Sequence, residues 1–464
     1  MQDEQRTKQN KMGVMPVPQL LLTMAIPLML SLLVQSLYNI VDSIYVSRIS
    51  EKALTATSLA YPVQILMIAL GVGTAVGINA LLSRLLGQKK HEEVSKGAAT
   101  GLVLAALSSL LFILMGCFFA DAIAKAMTGD TETAAMCAEY LRIVTLFCTG
   151  SFLETMIQRF LQASGKTGLS MVSLIVGAGT NIILDPIFIF SLGMGVRGAA
   201  IATVIGQWLG ALTALLLNIF RNPEVKLSFK GFRLEKKIVA AIYKVGFPTI
   251  IMQAMGSVMN FGMNALLGAG TAVAFFGAYF RLQSFLFMPM NGLGQACLPI
   301  IGYNYGAKNP DRIRETVKTA LKWGIILGLL FTALFMALPG PLLSLFNASE
   351  EMLSLGVPAI RIMMCMFPLV GGQMITSTFF QSIRQAKKSI FLSTTRQMLF
   401  LVPFLLFLPD FFVAQGWEGV NGVWASLPFS DFIASLIAGI LLYAQVRRFN
   451  HLTEVSKGVK IDTK

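Results

Sequence analysis

The chain has 464 residues, of which 55% are hydrophobic and only 13% are charged, and its net charge is +14. An average soluble protein carries about 25% charged residues, so this composition excludes a soluble multidomain enzyme and a disordered chain. What remains is an all-α membrane protein with several spanning helices of ~20 apolar residues each. The basic excess fits the cytoplasmic loops of such a protein better than it fits a nucleic-acid surface.

Apolar segments separated by charged or Pro/Gly-rich breaks predict twelve membrane-spanning helices. They lie at 18–45, 55–84, 97–120, 136–160, 168–192, 196–220, 245–268, 272–303, 323–346, 353–382, 389–413 and 419–446. Several of these segments are longer than a single perpendicular span requires, which predicts tilted helices or helices that extend beyond the bilayer.

The distribution of Lys and Arg supports this count of spans. With a cytoplasmic N-terminus, the even-numbered loops and the two termini hold 30 of the 37 basic residues, and the odd-numbered loops hold four. This assignment counts Arg396 with the tenth loop. Because cytoplasmic loops are enriched in Lys and Arg, the alternation predicts that both termini are cytoplasmic.

The two halves of the chain repeat each other at a nearly constant offset in residue number. The matches run through six predicted helices, and they include Gln64/Gln283, Gly73/Gly292, Lys89/Lys308, Arg142/Arg361 and Gln162/Gln381. A repeat with an even number of spans keeps its orientation in the membrane, which predicts two pseudo-symmetric six-helix lobes around a central cavity. The predicted divisions are an N-lobe at 1–225, a basic cytoplasmic linker at 226–244, and a C-lobe with its tail at 245–464.

The first predicted helix carries a polar stripe late in an apolar sequence. Gln35, Tyr38, Asn39 and Asp42 recur at helical spacing, and such a stripe must face water or another helix. Pro27 lies earlier in the same helix and predicts a hinge. An intramembrane carboxylate is a functional candidate by default, although Asp42 could also be a loop acid near the outer surface.

A second acid lies in the fifth predicted helix. Asn181 and Asp185 are four residues apart and point the same way, and Pro186 follows as a second predicted hinge. With Asp42 and the Thr203 hydroxyl of the sixth helix they would form an all-oxygen site suited to a hard cation such as Na⁺. Two carboxylates in a low-dielectric pocket would equally favour holding a proton. The alternative is that Asp185 only caps or breaks its helix.

The fourth predicted helix contains Glu154, with Gln158 on the same face. Glu154 could line a cavity or form an ion pair with Arg142 or Arg159 near the helix ends. Its role therefore stays open, with the ion pair slightly favoured.

The last predicted helix contains Asp431, which could bond locally or pair with Arg281. Its role stays open as well. Apart from these acids, the sequence holds no metal-ligand spacing, phosphate-binding loop or Ser/His/Asp set, so we expect no enzyme activity and no cofactor.

Three motifs resemble the MATE (multidrug and toxic compound extrusion) family, and most closely its prokaryotic DinF-like branch. They are the runs at 160–166 (FLQASGK), 181–190 (NIILDPIFIF) and 195–203 (GVRGAAIAT). The runs at 26–27 (IP), 39–42 (NIVD) and 246–248 (GFP) fit as well, and the similarity extends over nearly the whole chain.

The resemblance implies twelve helices in two lobes and export of drugs against a proton or sodium gradient. It implies that an aspartate, an asparagine, a second aspartate and a threonine of the N-lobe bind the coupling ion. By position these are Asp42, Asn181, Asp185 and Thr203. The substrate contacts that we expect are Gln35, Tyr38, Asn39 and Gln158.

The sequence departs from the NorM-like branch of the same family, which carries acids on the seventh and tenth helices. Here the corresponding runs are 253–257 (QAMGS) and 373–378 (QMITST), and neither contains an acid. We therefore expect the coupling ion, H⁺ or Na⁺, to bind in the N-lobe only.

The most consistent function is a secondary antiporter of the cytoplasmic membrane that exports bulky apolar or cationic compounds. We expect a monomer whose partners are the lipid bilayer and a small drug-like substrate, with no nucleic acid. The alternatives are a flippase for lipid-linked precursors, which needs several arginines for a pyrophosphate group, and an exporter of one narrow class of metabolite. A channel or receptor is less consistent, since no ring of charges or sensor domain is evident.

Overall fold

The computed structural model describes residues 10–267, 271–346 and 348–456, with the side chains of 254–262, 264–266, 273 and 449–456 left out of the description. The C-lobe run at 254–257 and the end of the predicted tail therefore lie outside the described residues or side chains. Across the described ranges the chain forms helices and no β-strand. The all-α prediction is confirmed.

Fifteen helices of nine or more residues occur in the described ranges. The first seven are α1 (Val17–Ser47), α2 (Glu51–Gly87), α3 (His91–Met127), α4 (Thr131–Leu146), α5 (Thr149–Ala163), α6 (Thr167–Pro186) and α7 (Gly195–Arg221). The remaining ones are α8 (Lys236–Leu267), α9 (Thr271–Gly306), α10 (Pro310–Ala337), α11 (Glu350–Met364), α12 (Phe367–Ser382), α13 (Ala386–Thr394), α14 (Val402–Ala414) and α15 (Gly419–Ser456).

These helices account for the predicted spans. Among the described residues, nine helical stretches are long and apolar enough to cross a membrane, and two bent pairs raise the number to eleven. The remaining predicted segment, 245–268, falls on α8 as far as the description extends. The twelve-helix layout is therefore confirmed.

Two predicted spans are each built from two helices. The pair α4 and α5 is bent by 47°, and the pair α11 and α12 by 46°. At the first bend the indole Nε1 of Trp208 donates to the backbone oxygen of Phe147, at 3.2 Å. This bond gives a second donor to a carbonyl group at the helix break, which also accepts a bond from the Gly150 amide at 3.4 Å.

The two predicted proline hinges lie in different local structures. Helix α1 continues through Pro27, whose backbone oxygen accepts a bond from the Ser31 hydroxyl at 2.7 Å. Pro186 is the last α-helical residue of α6, and a π-helical turn, Ile187–Ser191, follows it. Such a turn marks a local departure from regular helix geometry, but movement at either proline stays a prediction.

The distribution of apolar side chains is that of a protein in lipid. Large apolar side chains such as Phe118, Phe220 and Ile440 are exposed. The buried positions include many small or polar residues, such as Gly77 and Asn79 on α2. Large exposed apolar surfaces are rare on soluble monomers, so this pattern indicates a multi-pass membrane protein.

The described chain forms two compact units. The first contains Thr23–Ile250 with the N-terminal residues up to Val14, and the second contains the chain from Ile251 onward with Met15–Leu22. Within the second unit Phe275 and Trp424 are fully buried, with ring centroids 5.2 Å apart.

Equivalent details recur in the two units at matched positions of the repeat. Lys89 and its match Lys308 both have positive φ angles, of 59° and 56°. Gln162 donates to the Ser170 hydroxyl at 3.2 Å, and the matching Gln381 donates to the Ser389 hydroxyl at 3.1 Å. The left-handed backbone is uncommon for residues other than glycine. Its recurrence at matched positions supports the pseudo-symmetry that the sequence predicts.

Candidate functional site

The four predicted ion-binding residues come together inside the first unit. Asn181 and Asp185 lie one turn apart on α6, and both are buried. The Asn181 amide nitrogen donates to Asp185 Oδ1 at 3.2 Å and to the Thr203 hydroxyl of α7 at 3.3 Å. The Asp42 carboxyl of α1 lies within hydrogen-bonding reach of the Asp185 carboxyl.

Glycines allow α6 and α7 to approach closely beside this group. A Cβ atom at Gly177 would lie 3.0 Å from the backbone oxygen of Gly206, and a Cβ atom at Gly206 would lie 2.7 Å from the backbone oxygen of Gly177. Only glycine tolerates so short an approach. Because Gly177 and Asn181 are one turn apart on α6, the same contact brings Asn181 against Thr203.

Several buried oxygen atoms of this group have no hydrogen-bond partner among the described residues. They are Oδ1 of Asp42, Oδ2 of Asp185 and Oδ1 of Asn181. An unsatisfied buried polar atom is destabilising by roughly 1–3 kcal/mol. A proton shared between the two carboxyl groups, or a small cation among the oxygens, would satisfy them.

A cavity of about 100 Å³ adjoins the group. Gln35, Tyr38 and Gln158 line it together with Asn181. Asn39 is exposed and is not part of the lining, so the structure does not bring it together with the others. A pocket that encloses a drug-sized molecule holds roughly 300–1,000 Å³. This cavity therefore accommodates water, an ion or the head group of a larger compound.

Glu154 lines this cavity. Its Oε1 accepts a bond from the Gln158 amide at 3.1 Å. Neither arginine considered from the sequence forms an ion pair with it, since Arg142 pairs with Asp121 at 2.6 Å and Arg159 donates to a glutamine one turn later. The ion pair favoured for Glu154 from the sequence is therefore wrong.

Asp431 lies in the second unit and pairs with an arginine that the charge pattern assigns to a loop. Arg396 Nε donates to Asp431 Oδ1 at 2.6 Å, and the two side chains are 21% and 8% exposed. Arg396 lies in a π-helical turn, Thr395–Leu401, between α13 and α14. The assignment of Arg396 to the tenth loop is therefore wrong. Arg281 is exposed, and the partner of Asp431 is Arg396 instead.

The cavity also contains polar residues that the sequence analysis missed, namely Ser151, Thr155 and Gln207. Gln207 could have been found, because it follows Thr203 by one helical turn and so shares its face. Within the described ranges no group of three or more His, Cys, Asp or Glu side chains is placed to hold a metal ion. Any cation would therefore have to be bound by a mixed set of carboxyl, amide and hydroxyl oxygens.

Comparison with known proteins identifies the family. The MatE family model matches residues 27–187 and 246–406, which is once in each of the two copies of the repeat. Multidrug export protein MepA of Staphylococcus aureus is 25% identical over 432 residues, which cover 92% of this chain and 94% of that protein. The MepA protein of Staphylococcus haemolyticus is 25% identical over 424 residues, covering 90% and 92%.

Solved structures match along nearly the full length. An outward-facing multidrug resistance MATE transporter of the MOP superfamily has a TM-score of 0.88 and 26% identity, covering 96% of this chain and 99% of that one. A MOP superfamily transporter from Pyrococcus furiosus, described as having a binding pocket of reverse polarity, has a TM-score of 0.83 and 26% identity over the same shares. Because the family model matches more than half of the sequence, this chain belongs to the MatE family of multidrug efflux transporters, which are membrane transporters and not enzymes.

Proposed function

We propose that the protein is a secondary antiporter of the cytoplasmic membrane that exports bulky apolar or cationic compounds in exchange for inward-moving H⁺ or Na⁺. It acts as a monomer with both termini in the cytoplasm. Asp42, Asn181, Asp185 and Thr203 bind the coupling ion, and Gln35, Tyr38 and Gln158 contact the substrate.

The observation that carries this proposal is the buried group of oxygens with no hydrogen-bond partner. Asp42 Oδ1, Asp185 Oδ2 and Asn181 Oδ1 all lack a donor among the described residues. The Asn181 amide nitrogen already donates to Asp185 and Thr203, so its orientation leaves only its oxygen free. A site with acceptors in excess favours an added proton or a hard cation.

Occupancy of this group can be coupled to transport because it adjoins the cavity. Asn181 and Thr203 belong both to the group and to the cavity lining. The coupling ion can stabilise one of two conformations of the transporter, and the substrate can stabilise the other. The two ligands are then exchanged across the membrane without occupying the same site.

The driving force depends on the net charge that moves. Each positive charge that enters the cell releases about 2.3 kcal/mol per 100 mV. If one coupling ion enters as one monovalent cation leaves, the contributions of the membrane potential cancel. The ion concentration gradient alone then drives export, so an imposed pH or sodium gradient is the informative experimental condition.

The test is uptake of a fluorescent cationic dye into inverted vesicles that contain the protein, with an acidic interior and no sodium. Uptake above that of empty vesicles supports proton exchange. Uptake only with a sodium gradient supports sodium exchange through the same residues. No uptake under either gradient contradicts the antiport proposal.

Substitutions then test the proposed site. Asp42→Asn and Asp185→Asn should abolish gradient-driven uptake while the amount of protein in the membrane stays normal. Glu139→Gln is the matched control, because Glu139 is an exposed acid 3.8 Å from Arg197 and lies outside the cavity. Rates like those of the wild type in Asp42→Asn would contradict its role.

A flippase for lipid-linked precursors is less consistent with this cavity. A pyrophosphate group needs arginines or lysines around it, and none lies among the residues that line the cavity in the described part of the first unit. The residues there are acidic or neutral, which favours a cation.

A further inference from the structure

Glu154 is the only carboxylate among the described residues that line the cavity, and no Lys, Arg or His side chain lines it. A carboxylate inside a membrane protein without a positive partner is energetically unfavourable. The cavity therefore favours a ligand that brings positive charge.

The position of this carboxylate is fixed by its surroundings. A Cβ atom at Gly210 would lie 2.4 Å from Glu154 Oε1, and one at Gly177 would lie 3.4 Å from the same oxygen. The Glu154 carboxylate thus packs against one glycine of α6 and one glycine of α7. The Gln158 amide nitrogen donates to Glu154 at 3.1 Å and to the Ser173 hydroxyl at 3.3 Å, which holds both side chains in place.

Several of the remaining polar atoms of the cavity are hydrogen-bond acceptors without a partner among the described residues. The amide nitrogens of Gln158 and Asn181 are both engaged, so each presents its oxygen elsewhere. Asn181 Oδ1 and Gln207 Oε1 are buried and have no partner among the described residues. Asn181 Oδ1 belongs to the proposed ion group, whereas Gln207 lines the cavity outside that group, so the unpartnered Gln207 oxygen is the second sign of a donor-bearing ligand.

We propose that this cavity binds the head group of organic cations that carry N–H donors, such as amidinium, guanidinium or primary ammonium groups, with Glu154 as the counter-charge. The proposal rests on the proposed export function and specifies its substrate class. Quaternary ammonium and phosphonium ions have charge but no N–H donor, so they leave the acceptors unsatisfied. Sites built to hydrogen-bond a ligand discriminate strongly against analogues that lack the matching group. Since the cavity has only about 100 Å³, the rest of the molecule lies outside it.

The test compares two cationic probes by calorimetric titration of the purified full-length protein, without any ion gradient. The diamidine dye DAPI carries N–H donors, and tetraphenylphosphonium carries none. Glu154→Gln should weaken DAPI binding by about tenfold or more and tetraphenylphosphonium binding by less than about threefold. Gln207→Leu removes one acceptor without changing charge, and it should weaken DAPI binding selectively as well. The control Glu139→Gln should change neither.

Two results would overturn the proposal. Unchanged DAPI binding in both Glu154→Gln and Gln207→Leu would mean that the cavity does not hold the head group. Equal weakening of both probes in Glu154→Gln would mean that the acid supplies charge without selecting for donors. Binding is measured without a gradient, so failure of antiport in vesicles would leave this comparison intact and would be recognised separately.

Discussion

The contact between α6 and α7 can be tested with a single methyl group. In Gly206→Ala the new Cβ atom would lie 2.7 Å from the Gly177 backbone oxygen, whereas ordinary contact begins near 3.4 Å, so the helices must separate by about 0.7 Å. The Asn181–Thr203 bond, now 3.3 Å, would then lengthen to about 4.0 Å and break. Overpacking is destabilising by roughly 1–3 kcal/mol, partly offset by a gain of about 1 kcal/mol in helix propensity. We expect a net loss of about 0–2 kcal/mol and impaired coupling.

The assay is equilibrium unfolding in mixed detergent micelles, combined with gradient-driven dye uptake. Gly179→Ala is the matched control, since Gly179 lies on α6 and a Cβ atom there meets nothing within 4 Å. It should leave the free energy of unfolding unchanged or raise it by up to about 1 kcal/mol. If Gly206→Ala and Gly179→Ala had the same stability and the same uptake, the reasoning about this helix contact would be refuted.

Other substitutions test the remaining contacts. Asp431→Ala should lower the free energy of unfolding by about 3 kcal/mol, because it leaves Arg396 partly buried without its acidic partner. The double variant Arg396→Met/Asp431→Ala should be less destabilised, and both variants are measured in the same unfolding assay. Hydrogen bonds from the Thr133 hydroxyl and, second, from the Thr133 amide hold the pKa of Asp130 below its usual value. The ionised Asp130 therefore stabilises the folded protein at any pH above its pKa in the unfolded chain, and this contribution is lost as pH falls through its pKa in the folded protein. The advantage of the wild type over Asp130→Asn should therefore shrink below pH ~4 in thermal unfolding scans. Trp208→Phe removes the bond at the bend between α4 and α5, and a loss of about 1 kcal/mol is expected by equilibrium unfolding.

The sequence was sufficient to predict the fold because two of its signals extend along the whole chain. They are the alternation of Lys and Arg between loops and the repeat that relates the two halves. The alternation of Lys and Arg depends on every loop, so an error in one boundary does not change it. The distribution of Lys and Arg did not predict the bends of 47° and 46° within two of the spans. The first break, at residues 147–148, has no proline, whereas Pro368 lies in the first turn of the helix that follows the second break. Hydropathy alone nevertheless predicts one helix for each pair.

The candidate site was predictable where spacing along one helix sufficed. Asn181 and Asp185 share a face at any rotation of α6. The partner of Asp431 was not predictable, because the distance to Arg396 depends on the rotation of two helices and on a π-helical turn. The same limit applies to Asn39, which the stripe on α1 grouped with its neighbours although the structure exposes it.

The second repeat does not carry the residues of the candidate ion site. At the offset that relates Gln162 to Gln381, the matches of Asn181 and Asp185 are Phe400 and Phe404. Neither phenylalanine can bind an ion, so the second repeat lacks these oxygens. Its backbone differs there as well, because Phe400 lies in the π-helical turn Thr395–Leu401 whereas Asn181 lies in the α-helix α6. This supports a coupling group in the first unit alone.

The same offset explains why the first unit contains an open, acidic cavity. The match of Gly177 is Arg396, and the match of Glu154 is Gln373. In the first unit the glycine leaves room for the Glu154 carboxylate, whose Oε1 would lie 3.4 Å from a Cβ atom at that position. In the second unit an arginine stands there instead, and Asp431 neutralises it at 2.6 Å. The first repeat thus carries Glu154 without a basic partner among the described residues, whereas in the second repeat Asp431 neutralises Arg396. We therefore expect a positively charged substrate to be recognised in the first unit.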